Sequence, residues 1–234
     1  MIPDSESWHQ EMKLDEGIKF IDFHSHRAEG EKHTLTVKNL FAGEEMPVSV
    51  PPGIYFSAGI HPWHLTGENA PELMAALKNS LGHPRVIAVG EAGFDSMRGP
   101  SKNIQYDAFI DQAQLAEEFN KPVVIHAVRS WDILRQARKV VNPSVKWVIH
   151  GFRGKAQLAC DLVSENFMIS LGVEGMSPEV IEAAGLKSIL LETDDSGRSI
   201  GSVYSHLASI SRIGMNELID RLKDNFISCF VFKG

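Results

Sequence analysis

The sequence predicts a (β/α)8 TIM barrel with an abbreviated or irregular first third. Three observations predict it. Eight short aliphatic or β-branched runs recur along the chain. Segments of helical periodicity separate most of them. The length, 234 residues, lies near the about 250 typical of such a barrel. A doubly wound open sheet is the alternative that the same alternation allows.

Residues 1–17 form a polar lead-in with some helical character. The first strand is Ile18–Phe23, and Leu35–Leu40 is a weaker second. Between Phe23 and Ile54 no amphipathic helix is legible, and Pro47, Pro51 and Pro52 interrupt the later part. This is the irregular first third. Further strands are expected at Ile54–Ala58, Val86–Val89, Val123–Ile125, Lys146–Ile149, Phe167–Leu171 and Ser188–Leu191. Several are apolar throughout, as strands buried on both faces of a parallel sheet are. Asn69-Ala-Pro-Glu supplies a cap and an early proline for a helix whose Leu73, Leu77 and Leu81 share one face. Phe109, Ala113 and Ala116 mark a second helix that stops at Lys121-Pro122. Trp131–Val141 is a third, and Ser177-Pro178-Glu179 opens a short one. The last helix places Ile219, Leu222 and Phe226 inward, with Asn216 as its expected cap.

Composition narrows the class. With 23 Lys and Arg against 30 Asp and Glu, the net charge is −7, and 43% of the residues are hydrophobic. That is ordinary globular composition, and one domain over residues 1–234 is expected. The acidic balance excludes broad, charge-driven coating of nucleic acid. It leaves room for a nuclease whose own metal ions meet the phosphate. Cys160 and Cys229 are too few for a disulfide framework. Cys160 falls in a helical stretch and is expected to be a buried structural thiol. No apolar run approaches the about 18 residues of a membrane span. The N-terminal stretch is acidic and lacks the apolar segment of a secretory signal, so a cytoplasmic protein, favoured as a monomer, is expected. Trp8, Trp131 and Trp147 are expected to pack, and Arg135, Arg138 and Lys139 to lie on a solvated helix face.

The chemistry gathers at strand ends. His24 and His26 follow the first strand in Phe20-Ile-Asp-Phe-His-Ser-His. Glu91 follows Val86-Ile-Ala-Val-Gly, His126 ends Pro122-Val-Val-Ile, His150 ends Trp147-Val-Ile, and Asp194 follows Ile189-Leu-Leu-Glu-Thr. In a barrel, C-terminal strand ends converge on one mouth. Any one of these residues alone reads as a cap or a satisfied polar group. Together they read as a metal site. Imidazoles and carboxylates without thiolates suit Zn, Mn, Fe or Mg. Six ligands exceed the needs of one tetrahedral ion, whereas two divalent ions sharing a carboxylate use them all. Glu91 is the candidate bridge, because its strand is central to the series. A divalent ion lowers the pKa of water and so supplies hydroxide near neutral pH, with Asp194 to accept the proton or align the nucleophile. Arg129 and Arg153 each lie three residues after a site histidine and present planar forks suited to phosphate.

The ordered set of short motifs resembles the TatD family of metal-dependent deoxyribonucleases. The matching pieces are Asp22-Phe-His24-Ser-His26, Gly59-Ile-His61-Pro62-Trp-His64, Gly90-Glu91-Ala-Gly93-Phe-Asp95, Gln105…Phe109…Gln112…Leu115-Ala116, Pro122-Val-Val-Ile-His126, His150-Gly-Phe-Arg-Gly154 and Glu192-Thr193-Asp194. The resemblance implies that His24, His26, Glu91 and Asp194 hold one ion and Glu91, His126 and His150 the other. It implies hydrolysis of DNA phosphodiesters, commonly from the 3′ end with Mg or another divalent ion. It also implies that His61 and His64 stand beside the phosphate. Departures fall in loops at the mouth: Phe94 stands for a usual aliphatic, Arg153 for a small polar residue, and Asp195-Ser-Gly-Arg198 for an early proline. The segment between His26 and His61 is short for the family. Metal-dependent hydrolysis is therefore a firmer expectation than DNA as the substrate. The alternative reading is hydrolysis of an amide, an ester or an aminoacyl-tRNA bond. A non-catalytic metal-binding scaffold ranks last, since all six ligands are present.

Overall fold

The computed structural model describes residues 14–15, 17–27 and 29–230. Its eight strands are β1 (Phe20–Ser25), β2 (Thr34–Phe41), β3 (Ile54–Gly59), β4 (Val86–Asp95), β5 (Val123–Val128), β6 (Trp147–Ile149), β7 (Phe167–Leu171) and β8 (Ile189–Leu191). They pair in chain order, every pairing parallel. The seam between β8 and β1 is closed by a parallel bridge from Ser25 to Asp194. This closure makes the sheet a barrel and sets aside the open doubly wound alternative.

Among the described residues seven α-helices cover the outside: α1 (Ala70–Leu81), α2 (Lys102–Glu118), α3 (Trp131–Val141), α4 (Ala156–Ser164), α5 (Pro178–Ala184), α6 (Ile200–Ser211) and α7 (Met215–Ser228). Among the described residues no helix joins β1 to β2 or β2 to β3. The first third is abbreviated as the sequence predicts. Helix starts follow local chemistry. Pro71 sits in the first turn of α1, and Ser177 and Ser199 accept the amides of Val180 and Ser202 at 3.3 and 3.2 Å. Asn69 holds the cap position of α1, but its side chain instead accepts the Thr66 amide at 2.7 Å and donates to the His64 carbonyl at 2.9 Å.

Two apolar layers result. The larger lies between strands and helices; in it Phe109 packs against Phe94 and Trp147 with ring centroids 4.8 and 5.1 Å apart. Burying a ring of this size stabilises the fold by about 1.5–3 kcal/mol. The smaller joins residues such as Phe23, Val37, Val124, Met168 and Leu190 from the strands with Phe226 and Cys229 at the end of α7. It fills the barrel's interior. Polar and charged side chains take over at the opposite, C-terminal rim.

Several expectations are corrected. Gly214, not Asn216, caps α7. Cys160 is exposed rather than buried, because it lies on the solvent side of α4. Arg135 and Arg138 are not simply solvated. Arg135 pairs with Glu165 at 2.8 Å, and Arg138 lies over the rings of Phe167 and Trp147 at 4.8 and 5.5 Å. Trp147 is buried and Trp131 half-buried, as packing residues should be, while Trp8 lies outside the described residues. No described helix is long and apolar enough to cross a membrane.

Candidate metal centre

Two strands are bent to build the site. β4 pairs with β5 as Val89 with Val123 and then as Ala92 with Ile125, so β4 spends one residue more than its neighbour. β1 does the same against β2 between Asp22 and Ser25. Such bulges re-aim side chains next to active sites. In β4 the bend needs glycine. Gly90 has φ +135° and Gly93 φ +149°, and a Cβ at Gly93 would lie 2.0 Å from the His126 carbonyl oxygen. The sequence predicts that the strand stops at Val89; it runs through the bulge to Asp95. The Glu91 amide donates to Asn39 Oδ1 at 2.8 Å, which fixes the turn of the bulge from β2.

The Glu91 carboxylate then stands at the centre of the mouth. Its Oε1 has His150 Nε2 at 2.7 Å, His126 Nδ1 at 2.8 Å and His61 Nε2 at 3.1 Å. Its Oε2 faces His26 Nε2 at 3.4 Å and His24 Nε2 at 3.6 Å. His24 and His26 lie Nε2 to Nε2 at 3.2 Å, and Asp194 Oδ1 is 3.8 and 3.6 Å from them. The six residues expected to be ligands are therefore brought together. Four sets of three place one ligand atom each within 4.8 Å of one another: His24, Glu91 and His150; His24, His26 and Asp194; His61, Glu91 and His126; His150, Glu192 and Asp194.

The electrostatics are those of a carboxylate in a ring of imidazoles. Burial by itself would raise the Glu91 pKa, but His150, His126 and His26 outweigh it and hold the group well below its usual range. Burial opposes the charge on His150, yet Glu91 and Glu192 push its pKa well above the ordinary value. His24, buried with His150 beside it, is driven down to about 3. Contact with Glu91 raises His26, whereas burial raises Asp194.

These residues fit a divalent cation. A carboxylate oxygen offers about two lone pairs. Glu91 Oε1 has three imidazole nitrogens within 3.1 Å. The two Nε2 atoms of His24 and His26 converge on one point beside two carboxylates. Nitrogen and oxygen donors crowded in this way are the ligand set of zinc, manganese or iron.

The surroundings sort the other candidates. A cleft of about 600 Å³ opens on the site, lined by His126, His150 and Asp194 together with Arg129, Arg153, Trp63 and Trp131. Both arginines thus face the mouth. His61 is buried, and its Nδ1 accepts the Trp63 amide at 3.1 Å, so its neutral ring carries the proton on Nε2. It enters the site as a donor. His64 is exposed, packs edge-on against Phe41 with 4.4 Å between centroids, and lies with its ring 5.7 Å from that of His61.

Sequence reasoning leaves four contributors without a role. Gln112 clamps Ile60, accepting its amide at 2.7 Å and donating to its carbonyl at 3.2 Å. Gln105 does the same for Asp95 at 2.8 and 3.0 Å. Glu192 is buried, accepts the Gly151 amide at 2.6 Å and stands 3.8 Å from His150 Nδ1. Asp95 accepts the Trp63 indole N–H at 2.7 Å and faces His126 Nε2 at 3.3 Å. All four occur in the motifs quoted above, but partners across strands are set by register, which the motifs do not state.

A closed parallel barrel carrying such a mouth is the architecture of a metal-dependent hydrolase, and similarity to known proteins narrows the class. The chain belongs to the TatD related DNase family, whose model matches residues 33–231. It is similar to a Bacillus subtilis protein named uncharacterized metal-dependent hydrolase YabD, 31% identical over 149 residues, 60% of this chain and 58% of that one. In that match the chain spans less than two thirds of the relative's length. Escherichia coli YcfH, also named a metal-dependent hydrolase, is 27% identical over 199 residues, 76% of this chain and 74% of YcfH. An Erwinia amylovora protein named 3'-5' ssDNA/RNA exonuclease TatD is 32% identical over 150 residues, 59% of this chain and 56% of the relative. The crystal structure of the Escherichia coli TatD homologue YjjV has the same fold, with a TM-score of 0.75 at 23% identity over 92% of this chain and 98% of that one.

Proposed function

We propose that this hydrolase cleaves phosphodiester bonds at the 3′ end of DNA with two divalent ions. His24, His26, Glu91 and Asp194 would hold one, and Glu91, His126 and His150 the other. One observation carries the reading: Glu91 divides its two oxygens, Oε2 toward His24 and His26, Oε1 toward His126 and His150. A carboxylate divided in this way would be shared between two ions. Such ions supply Lewis acidity for a phosphoryl oxygen and lower the pKa of water.

The chain's own groups complete the reaction. Asp194 stands at the rim with 28% of its side chain exposed, within reach of an attacking water, whose proton it accepts. The His61 Nε2–H, which faces Glu91 Oε1 at 3.1 Å, would turn to a phosphate oxygen when substrate is bound. Arg129 and Arg153 pair with the flanking phosphates of the strand. The family and the name of the Erwinia relative support nucleic acid as the substrate. Both cysteines are free thiols, in keeping with a cytoplasmic setting.

The test is hydrolysis of end-labelled single-stranded DNA by metal-stripped protein, with Mg, Mn and Zn restored separately and Glu91→Ala as control. Stepwise, metal-dependent shortening that vanishes in the variant is expected. Metal binding without cleavage by any ion would overturn DNA as the substrate and turn attention to acyl compounds and small phosphoesters.

A further inference from the structure

We infer that Asp95 is a positioning residue that locks His126 in the tautomer whose Nδ1 lone pair faces the metal centre. Only the identity of what Nδ1 meets rests on the two-ion reading above.

Asp95 ends β4, buried, and its carboxylate has no freedom to turn. Oδ1 accepts the amides of Met97 and Arg98 at 2.7 and 3.0 Å, and Oδ2 accepts the Trp63 indole N–H at 2.7 Å. Its backbone is clamped on both sides by Gln105. An ionised carboxylate only accepts hydrogen bonds. The nitrogen it faces, His126 Nε2 at 3.3 Å, is therefore the protonated one. In a neutral ring Nδ1 is then bare, and it points at Glu91 Oε1 only 2.8 Å away. A bare nitrogen and a carboxylate oxygen at that separation need a cation between them: a metal ion when the site is loaded, a proton when it is not.

His61 is set the other way. Its Nδ1 is satisfied by the Trp63 backbone amide, so it presents Nε2–H to the same Glu91 oxygen. Two histidines flanking one oxygen are thus fixed in opposite tautomers, one as a donor and one as a ligand. Trp63 serves both devices, through its amide toward His61 and its indole toward Asp95. A backing carboxylate of this kind orients a ligating ring and raises its basicity.

The test reads the tautomer directly. Protein labelled with 15N in histidine, equilibrated with Zn2+ at a pH where free imidazole is neutral, is examined by long-range 1H–15N correlation, with His126→Asn to assign the ring. The wild-type ring is expected to carry its proton on Nε2. In Asp95→Asn the amide can turn its NH2 toward Nε2, and the proton is expected to shift toward Nδ1. Titration with Mn2+, followed by the electron paramagnetic resonance of the free ion, is expected to show one of two sites weakened by about 10–100-fold. Trp63→Phe, which keeps the carboxylate, should retain the wild-type tautomer.

An Nδ1–H tautomer in the wild type would overturn the inference, and it is read without any variant, so a poorly folding Asp95→Asn does not remove the test. An unchanged tautomer and unchanged Mn2+ affinity in Asp95→Asn would overturn it as well. A wild type with the Nε2–H tautomer that binds no Mn2+ would sink the two-ion reading and leave the positioning role standing.

Discussion

Asp194 closes the barrel onto His24: its backbone amide donates to the His24 carbonyl at 2.9 Å, while its carboxylate stands 3.8 Å from the His24 ring. The His26 amide returns a bond to the Asp194 carbonyl at 3.1 Å. The last seam of the sheet and one half of the candidate site are therefore the same few residues. Asp194 adopts φ +52°, a strained conformation for a residue with a side chain, and the seam holds it there.

The neighbouring residue tests the seam. Thr193 donates its hydroxyl to Asp22 Oδ2 at 2.6 Å and its amide to Oδ1 at 2.9 Å. Thr193→Val keeps the shape and removes one donor from a buried carboxylate. We predict a loss of about 1–3 kcal/mol in urea unfolding of the metal-free chain. A change below about 0.5 kcal/mol would show that the hydroxyl is not what holds the seam.

Glu91→Gln tests the bridge. The substituted amide is neutral and turns an N–H group toward atoms that are themselves donors or ligands. Metal content measured after dialysis is expected to drop below that of the wild type, and hydrolysis by at least about 10²-fold. Circular dichroism should retain the helical signal. Wild-type turnover in the Glu91→Gln variant would eliminate Glu91 as the bridging ligand.

Arg153 is exposed and lines the cleft beside His150. For a single-stranded substrate, Arg153→Ala is expected to raise KM more than it lowers kcat. For each phosphate that the side chain no longer neutralises, the slope of log affinity against log salt should fall by roughly 0.7. A salt dependence identical to that of the wild type would place Arg153 outside the substrate path.

Lys121 gives a pH prediction far from the metal centre. It sits just before β5, buried, and its ammonium donates to the carbonyls of Leu81, at 2.7 Å, and Val86. Burial lowers its pKa from 10.5 to about 8. Between those values the unfolded chain binds the proton and the folded chain does not, so stability rises with pH. At about 1.4 kcal/mol per pKa unit, the gain from pH 8 to above 10 is at most about 3 kcal/mol. In Lys121→Met this contribution is absent. Urea unfolding of both proteins at pH 7.5 and 10 measures it, and a constant difference between them would refute it.

What the sequence reveals and what it conceals divide along physical lines. Strands β5 to β8 are legible because each opens with a run of at least three buried apolar residues, Val123–Ile125, Trp147–Ile149, Phe167–Ile169 and Ile189–Leu191. The far half of β4 is concealed, because Gly90-Glu-Ala-Gly93 has the composition of a loop and only the pairing with β5 makes it a strand. Helix α6 is missed for a similar reason: Ile200-Gly-Ser-Val-Tyr-Ser carries a weak helical propensity, and burial of Val203, Tyr204 and Leu207 against the barrel decides its state. The six ligand candidates are legible as strand-end residues of the right chemistry. Asp95 and Glu192 are visible only as motif letters, since what each one backs depends on where a ring nitrogen points.

The pair of glycines around Glu91 has a consequence for anyone who would move this chemistry elsewhere. A side chain at position 90 would strike the Val124 carbonyl oxygen at 2.3 Å, and one at position 93 the His126 carbonyl oxygen at 2.0 Å. The carboxylate is thus not a portable part. Grafting it into another scaffold means carrying the ribbon from Gly90 to Asp95 and the strand that lies against it. Between those glycines, Ala92 can be exchanged only for something as small, since it is buried without exposure in the outer layer. The spacing of the motif records the room available to a backbone as much as the needs of a reaction.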